Sequence, residues 1–241
     1  MDSALYVSLS SQLALENRLN TIADNVANAT TVGFRSTEVK FDQLISRSPG
    51  TDVSYVTSGK DYLSTTSGGL TKTGNQLDFA VKGSGWFALD TPAGQVLTRD
   101  GRFSMTPNGA LISTMGYPVL DAGGSPIQLD PTKDAPVAGQ DGSLTQDGKL
   151  VGAIGLFSAD VSQGYTRYGN SGIIPARPAV PIVDQSDQGV EQGYVEESNV
   201  NPIAEMTKLI MVQRAFDNSA AADKETSSSL NDAVKVLGGS S

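Results

Sequence analysis

The two ends of this 241-residue chain repeat apolar residues at helical spacing, and the long stretch between them does not. At the N-terminal end, Leu5, Leu15, Leu19, Ile22, Val26 and Ala29 fall on one a/d seam, whose remaining members are Ser8 and Gln12. A stripe this narrow suits a helix that pairs with another helix. Asn28 and Gly33 can end it, because both residue types tolerate the left-handed turn at a helix terminus. At the C-terminal end, Asn201-Pro202 reads as an N-cap followed by proline at the first helical position, where the missing N–H is harmless. The seam then runs Met206, Leu209, Gln213, Phe216, Ala220, Asp223, Ser227, Leu230, Val234, Leu237, with its polar weak point at Asp223 and Ser227 and a stop at Gly238-Gly239. Each helix has a stripe that it cannot bury alone, and an isolated helix is marginal in water. Pairing with each other, and with neighbouring copies, satisfies both. Small residues (Ala14, Ala23, Ala27, Ala215, Ala221) permit close approach. A helical hairpin confined to one molecule explains the same pattern equally well.

The middle is built of different material. Between about residues 70 and 183, short apolar runs alternate with turn signals. Leu77, Phe79 and Val81 alternate, and Trp86 to Leu89 follows the break at Gly83-Ser84-Gly85. Asp100-Gly101, Asn108-Gly109, Asp141-Gly142 and Asp147-Gly148 punctuate the rest. Such dipeptides between strand-like runs are strong hairpin signals. The fold expected is α+β: N- and C-terminal helices forming a coiled-coil-like pair, with an antiparallel all-β domain inserted between them. The expected divisions are 1–34 for the first helix, 35–70 for an extended linker, 71–190 for the β domain and 191–241 for the second helix. Within the linker, Phe41, Leu44 and Ile45 suggest a short amphipathic piece.

Chemistry is sparse. The chain has neither histidine nor cysteine, which removes His-dependent nucleophilic triads, thiolate chemistry and His or Cys metal ligation. No Ser-x-x-Lys occurs, and the Asp-Gly pairs match no calcium loop. No catalytic, cofactor-binding or metal-binding residue is assigned, and no cofactor is expected. The net charge of −9 gives no basic patch for nucleic acid. Acid gathers at Asp184, Asp187, Glu191, Glu196, Glu197 and Glu205, a run whose simplest reading is a solvated loop. No apolar run is long enough for a membrane span. Met1 to Leu5 lacks the start of a cleavable secretory signal. Trp86-Phe87 reads as core rather than as a sugar platform, since aromatics dominate cores. A carbohydrate-binding or glycosidase β domain, in which Trp86 would be the stacking platform instead, is the reading from a different class.

Several motifs, taken in order, resemble one family. Asn25-Val26-Ala27-Asn28-Ala29-Thr30-Thr31-Val32-Gly33-Phe34-Arg35 resembles the signature that closes the N-terminal helix of bacterial flagellar rod and hook proteins. Within it, Asn25, Asn28, Thr31, Gly33 and Phe34 match the pattern. Thr73 to Phe87, Leu97 to Phe103 and Gly116 to Leu120 resemble the family's β domain. Glu197 to Asn201, then Glu205-Met206-Thr207 and Gln213 to Phe216, resemble its C-terminal segment. The length, the Met1-Asp2 opening and Asn201-Pro202 are most similar to the proximal-rod branch. The distal-rod branch, which usually has a longer segment after the first helix, is next. The resemblance implies a structural subunit of the flagellar basal body that polymerises through its terminal helices. It implies copies of itself and other rod proteins as partners, uncleaved passage through the flagellar type III export apparatus, and a periplasmic rod that transmits torque for motility. The assembly residues expected are Leu5, Leu15, Leu19, Ile22, Val26, Met206, Leu209, Phe216, Leu230, Val234 and Leu237.

Overall fold

No proline or glycine interrupts residues 2–27, and that stretch is one continuous helix, α1 (Asp2–Ala27), in the computed structural model. The structure describes residues 2–41, 43–48, 51–57, 59–183 and 188–238. The chain divides into two units, one of Met1–Ala27, Thr37–Tyr62 and Asn201–Ser241, the other of Asn28–Ser36 and Leu63–Val200.

In the first unit, α1 packs on α2 (Pro202–Gly238). Asn201 caps α2: its side-chain oxygen accepts from the Ala204 N–H at 3.1 Å, and its carbonyl accepts from the Glu205 N–H at 3.0 Å. The helices run antiparallel, since Asn25 near the end of α1 meets Glu205 near the start of α2, while Gln12 meets Asp223 further along. Ala14 and Ile22 of α1 and Val212 of α2 are buried, and Leu209 and Phe216 are half-buried. Within the stretch read as a linker, the backbone between residues 37 and 63 forms paired strands. It contains β1 (Thr37–Lys40), β2 (Gln43–Ser48), β3 (Thr51–Val56) and β4 (Lys60–Leu63). β1 pairs with β4, and β2 pairs antiparallel with β3 from Gln43↔Val56 to Ser48↔Thr51. β4 ends at the division between the units.

The second unit is antiparallel β with one 3-10 turn, Val161–Gln163, among the described residues. It comprises β5 (Leu70–Lys72), β6 (Phe79–Lys82), β7 (Trp86–Thr91), β8 (Gly94–Thr98), β9 (Phe103–Met105), β10 (Leu111–Ser113), β11 (Val137–Ala138), β12 (Ser143–Gln146), β13 (Lys149–Ala153), β14 (Leu156–Ser158), β15 (Tyr165–Tyr168), β16 (Gly172–Pro175), β17 (Val180–Pro181), β18 (Gly189–Gln192) and β19 (Tyr194–Glu196). The largest sheet has the order β15-β16-β8-β7-β14-β17, with a three-stranded sheet β11-β12-β13 and the pairs β9–β10, β6–β18 and β5–β19 around it.

The turn signals had different fates. Asp147 and Gly148 both take positive φ, 51° and 72°, and join β12 to β13 as a tight hairpin. Asn108-Gly109 joins β9 to β10. Asp100-Gly101 makes no hairpin, because β8 and β9 are not neighbours. Glycine is needed there for another reason: a Cβ on Gly101 would lie 1.7 Å from the Phe79 carbonyl oxygen.

The core of this unit lies where alternating strand residues converge. Phe79, Phe87, Val96, Phe103, Leu111, Val119, Leu144, Ile154 and Leu156 are essentially inaccessible to solvent, with Phe87 and Phe103 edge to face at 5.3 Å between centroids. Trp86 joins a second cluster with Ala88, Leu97, Phe157 and Ile173. It is buried, as the core reading of Trp86-Phe87 expects, and the stacking-platform alternative does not hold.

Candidate assembly interface

The helix pair carries two kinds of polar contact inside its seam. Ser8 and Gln12 break the apolar run of α1, and Asp223 breaks that of α2. The structure brings them together: the Ser8 hydroxyl donates to one Asp223 oxygen, and the Gln12 amide donates to the other at 2.6 Å. Near the opposite end of the pair, Asn25 is buried and its amide reads the backbone of β1. Its Nδ2 donates to the Thr37 carbonyl at 2.8 Å, and its Oδ1 accepts from the Thr37 N–H at 3.0 Å. The same Nδ2 lies 3.3 Å from a Glu205 carboxylate oxygen, whose partner oxygen accepts from Lys208 at 2.6 Å. Such satisfied polar groups within a helix seam fix register.

The burial pattern on α2 differs in phase from the sequence seam. Glu205, Leu209, Val212 and Phe216 face inward, whereas Met206 is 55% exposed and Gln213 and Ala220 are exposed. Val212 was missed because Leu209 can continue to either 212 or 213 at a/d spacing; only the partner helix selects between them. On α1, Ile22 is buried and Leu15, Leu19 and Val26 are half-buried. Leu5, Leu230, Val234 and Leu237 lie on the helices, but their side chains fall outside the described residues, as do Asp184 and Asp187 of the acidic run.

Both helices also leave apolar side chains outside. Leu9 and Leu13 stand four apart on α1 at 49% and 52% exposure. On α2, Ile203 (78%), Met206 (55%) and Ile210 (53%) form a second stripe at i, i+3, i+7. Exposed apolar side chains at helical spacing make these faces candidates for an interaction surface.

In the β unit, the remaining family-motif residues form a tight knot with the C-terminal motif. Asn28 and Thr31 shape the turn after α1: the Thr31 N–H donates to the Asn28 carbonyl at 3.1 Å, and the Thr31 hydroxyl lies 3.1 Å from the Asn28 side-chain oxygen. Gly33 takes φ +70°, and a Cβ there would stand 2.2 Å from the Asp100 nitrogen. Phe34 is fully buried beneath the Arg167 guanidinium, 4.4 Å from the ring centroid. Arg35 reaches Glu196 at 2.7 Å and the Thr65 carbonyl at 3.0 Å. Arg99 takes the other Glu196 oxygen at 3.1 Å and the Gly83 carbonyl at 2.7 Å. Both guanidinium groups lie within 6 Å of the Trp86 ring centroid, at 5.9 and 5.3 Å. Burial pulls Arg99 down to about 10, with Glu196 opposing the fall and Arg35 adding to it; burial likewise lowers Arg35. Asn199 closes the knot, accepting from the Ser36 N–H at 2.7 Å and donating to the Thr66 carbonyl at 2.9 Å. The acidic run is therefore not uniformly solvated: Glu196 and Glu205 are buried and partnered.

A pair of helices made from the two ends of one chain, apolar on an outer face as well as at their shared seam, and a β unit inserted between them define a structural subunit built for assembly. Comparison with known proteins gives this class its family. Residues 5–35 match the family model described as flagella basal body rod protein. Residues 80–152 match that of the flagellar hook protein FlgE/F/G D1 domain, and residues 191–229 that of the flagellar basal body rod FlgEFG protein C-terminal. The chain is 60% identical to the flagellar basal-body rod protein FlgF of Mesorhizobium japonicum, and 54% identical to that of Rhizobium meliloti, over all of both chains. It is 29% identical to the flagellar basal-body rod protein FlgG of Bacillus subtilis, covering 90% of this chain and 92% of the relative. The chain belongs to the flagellar basal-body rod proteins and is a structural component of that rod.

Proposed function

We propose that this chain is a proximal-rod subunit, joined to copies of itself and to other rod proteins through α1 and α2, and that it transmits torque without catalysing a reaction. The observation that carries this reading is the pair of outward apolar stripes, Leu9 with Leu13 and Ile203 with Met206 and Ile210, on helices that already share a buried seam. Identity to FlgF well above that to FlgG supports the proximal branch. A contact that repeats without closing generates a helical rod. In that rod the assembly positions are Leu5, Leu15, Leu19, Ile22, Val26, Met206, Leu209, Phe216, Leu230, Val234 and Leu237. The rod lies in the periplasm, and the subunit reaches it uncleaved through the flagellar type III export apparatus. An acidic chain of net charge −9 has no use for nucleic acid as a partner.

Leu209→Asp tests the reading. It places a charge in the helix seam, so the variant is expected to keep a folded β unit, seen by Trp86 fluorescence, while cells carrying it lose motility and rod incorporation. Normal motility with Leu209→Asp contradicts the assignment of α2 to assembly.

A further inference from the structure

Strands and one turn of the β unit surround a small cleft. Leu89 of β7 and Val96 of β8 are buried and line its apolar side, with exposed Met115 at its edge. The rest of the lining is rich in hydroxyl groups, and these have more protons than acceptors. Tyr168 donates to Tyr117 at 2.9 Å, which uses one phenolic proton and leaves the other. Thr98 and Ser171 stand 3.2 Å apart and share one hydrogen bond, so one of their protons is left as well. The buried Ser113 hydroxyl accepts from the Tyr117 N–H at 3.2 Å. None of these three remaining protons has an acceptor among the described residues. The hydrogen bond with Tyr168 raises the Tyr117 phenol above its ordinary value, so its proton stays in place at neutral pH. Sheltered donors without acceptors are costly, and a ligand that brings an acceptor oxygen relieves that cost. The lining holds no cation, and its single charge, Asp100, is held by Arg102 at 2.9 and 2.7 Å.

We propose that this cleft receives the acetamido group of an N-acetylated sugar. Its volume of about 30 Å³ is small. One water-sized group needs roughly 10–15 Å³, so two or three fit. That is the size of an acetyl CH₃ and C=O and far less than a sugar ring, which stays at the mouth beside the half-buried rings of Tyr117 and Tyr168. The acetyl oxygen has two lone pairs and accepts from the spare hydroxyl protons. The methyl group meets Leu89, Val96 and Met115. A neutral ligand suits a lining without a cation. Asp100 accepts from the Arg102 backbone N–H and from its guanidinium, which leaves one carboxylate lone pair for a ring hydroxyl of the sugar. The aliphatic stem of an acetylated lysine has no such hydroxyl. Glucose has the hydroxyls but not the acetyl group, and leaves the spare protons unmatched. The site belongs to the β unit alone and does not depend on what α1 and α2 do. Trp86, in the core, takes no part in it.

Amide NMR of the full-length chain, titrated separately with N-acetylglucosamine, glucose and acetyl-lysine, tests the assignment. N-acetylglucosamine is expected to shift amides around residues 113–117 and 168–172, with a dissociation constant on the order of 1 mM. Glucose and acetyl-lysine should bind about tenfold more weakly or not at all. Ser113→Ala removes one donor and is expected to weaken the sugar about 3–10-fold, the worth of one hydrogen bond. Tyr117→Phe with Tyr168→Phe keeps both rings, removes both phenols and should weaken it by a similar factor. This second variant decides if Ser113→Ala does not fold, and Trp86 emission reports folding in each. An absence of shifts with N-acetylglucosamine at about 10 mM would overturn the proposal, because the cleft would then hold only water. Equal binding of glucose would overturn it too, since the acetyl group would not be what is recognised. Acetyl-lysine binding as tightly as the sugar would do the same, as would variants that bind like the parent chain.

Discussion

Glu196 holds one negative charge between two buried guanidinium groups, and its two oxygens are divided between Arg35 and Arg99. Glu196→Gln keeps the shape and removes the charge, leaving two cations buried against Trp86. It is expected to destabilise the β unit by about 3–5 kcal/mol, the usual penalty for breaking a buried pair. Urea unfolding followed at Trp86, the sole tryptophan, measures this directly. Gly33→Ala acts through the backbone. Its φ of +70° disfavours any Cβ, and the methyl group would meet the Asp100 nitrogen, so a loss of about 2 kcal/mol or more is expected in the same assay. Asp130, Asp141 and Asp160 repeat one local device, each accepting from the hydroxyl and the backbone N–H of the residue two further on: Thr132, Ser143 and Ser162. These bonds hold all three carboxyls below the ordinary range. A depressed folded pKa contributes stability that is present above the unfolded value, about 4, and is lost as pH falls through the folded value. Ser143→Ala removes the hydroxyl donor, so the Asp141 carboxyl is expected to titrate at higher pH than in the parent chain, as carboxyl carbon NMR would show. An unchanged midpoint would mean that the hydroxyl contributes nothing.

At the scale of elements, the two helices and several strands of the β unit were legible in the sequence because each is set by local periodicity or by a turn. Residues 2–27 contain no glycine or proline, Asn201-Pro202 caps α2 as read, and Asn108-Gly109 and Asp147-Gly148 make the hairpins that their chemistry demands. What stayed hidden depends on partners distant in sequence. Asp100-Gly101 looks like a hairpin turn, but β8 and β9 pair elsewhere, and Gly101 is there for a close backbone approach by Phe79. The phase of α2 between Val212 and Gln213 is set by α1, not by α2 itself. The polar interruptions at Ser8, Gln12 and Asp223 read separately as weak points, although together they form one hydrogen-bonded contact. Glu196 sat in an acidic run that gave no sign of its two arginines. Asp223→Leu is expected to loosen α1 from α2 at that contact while the Asn25–Glu205 end holds. Amide exchange should then rise around residues 8–12 and stay unchanged around Asn25; exchange rising equally at both ends would mean the two contacts do not act separately.

At the scale of the whole molecule, the two ends of the chain together with Thr37–Tyr62 form one unit, and Asn28–Ser36 with Leu63–Val200 form another. The motif that marks the family is divided between them. Asn25 anchors β1 within the helical unit, while Asn28, Thr31, Gly33, Phe34 and Arg35 are fixed within the β unit against Glu196 and Asn199. Those motif residues therefore serve folding in both units; on the function proposed above, the apolar positions that a single copy leaves exposed on α1 and α2 join the seam residues in assembly. A side-chain-resolution reconstruction of the assembled basal-body rod tests this most directly. The account predicts that Leu9, Leu13, Ile203, Met206 and Ile210 are covered by helices of adjacent subunits. Finding those side chains open to solvent in the rod, with α1 and α2 packed only on each other, would contradict it.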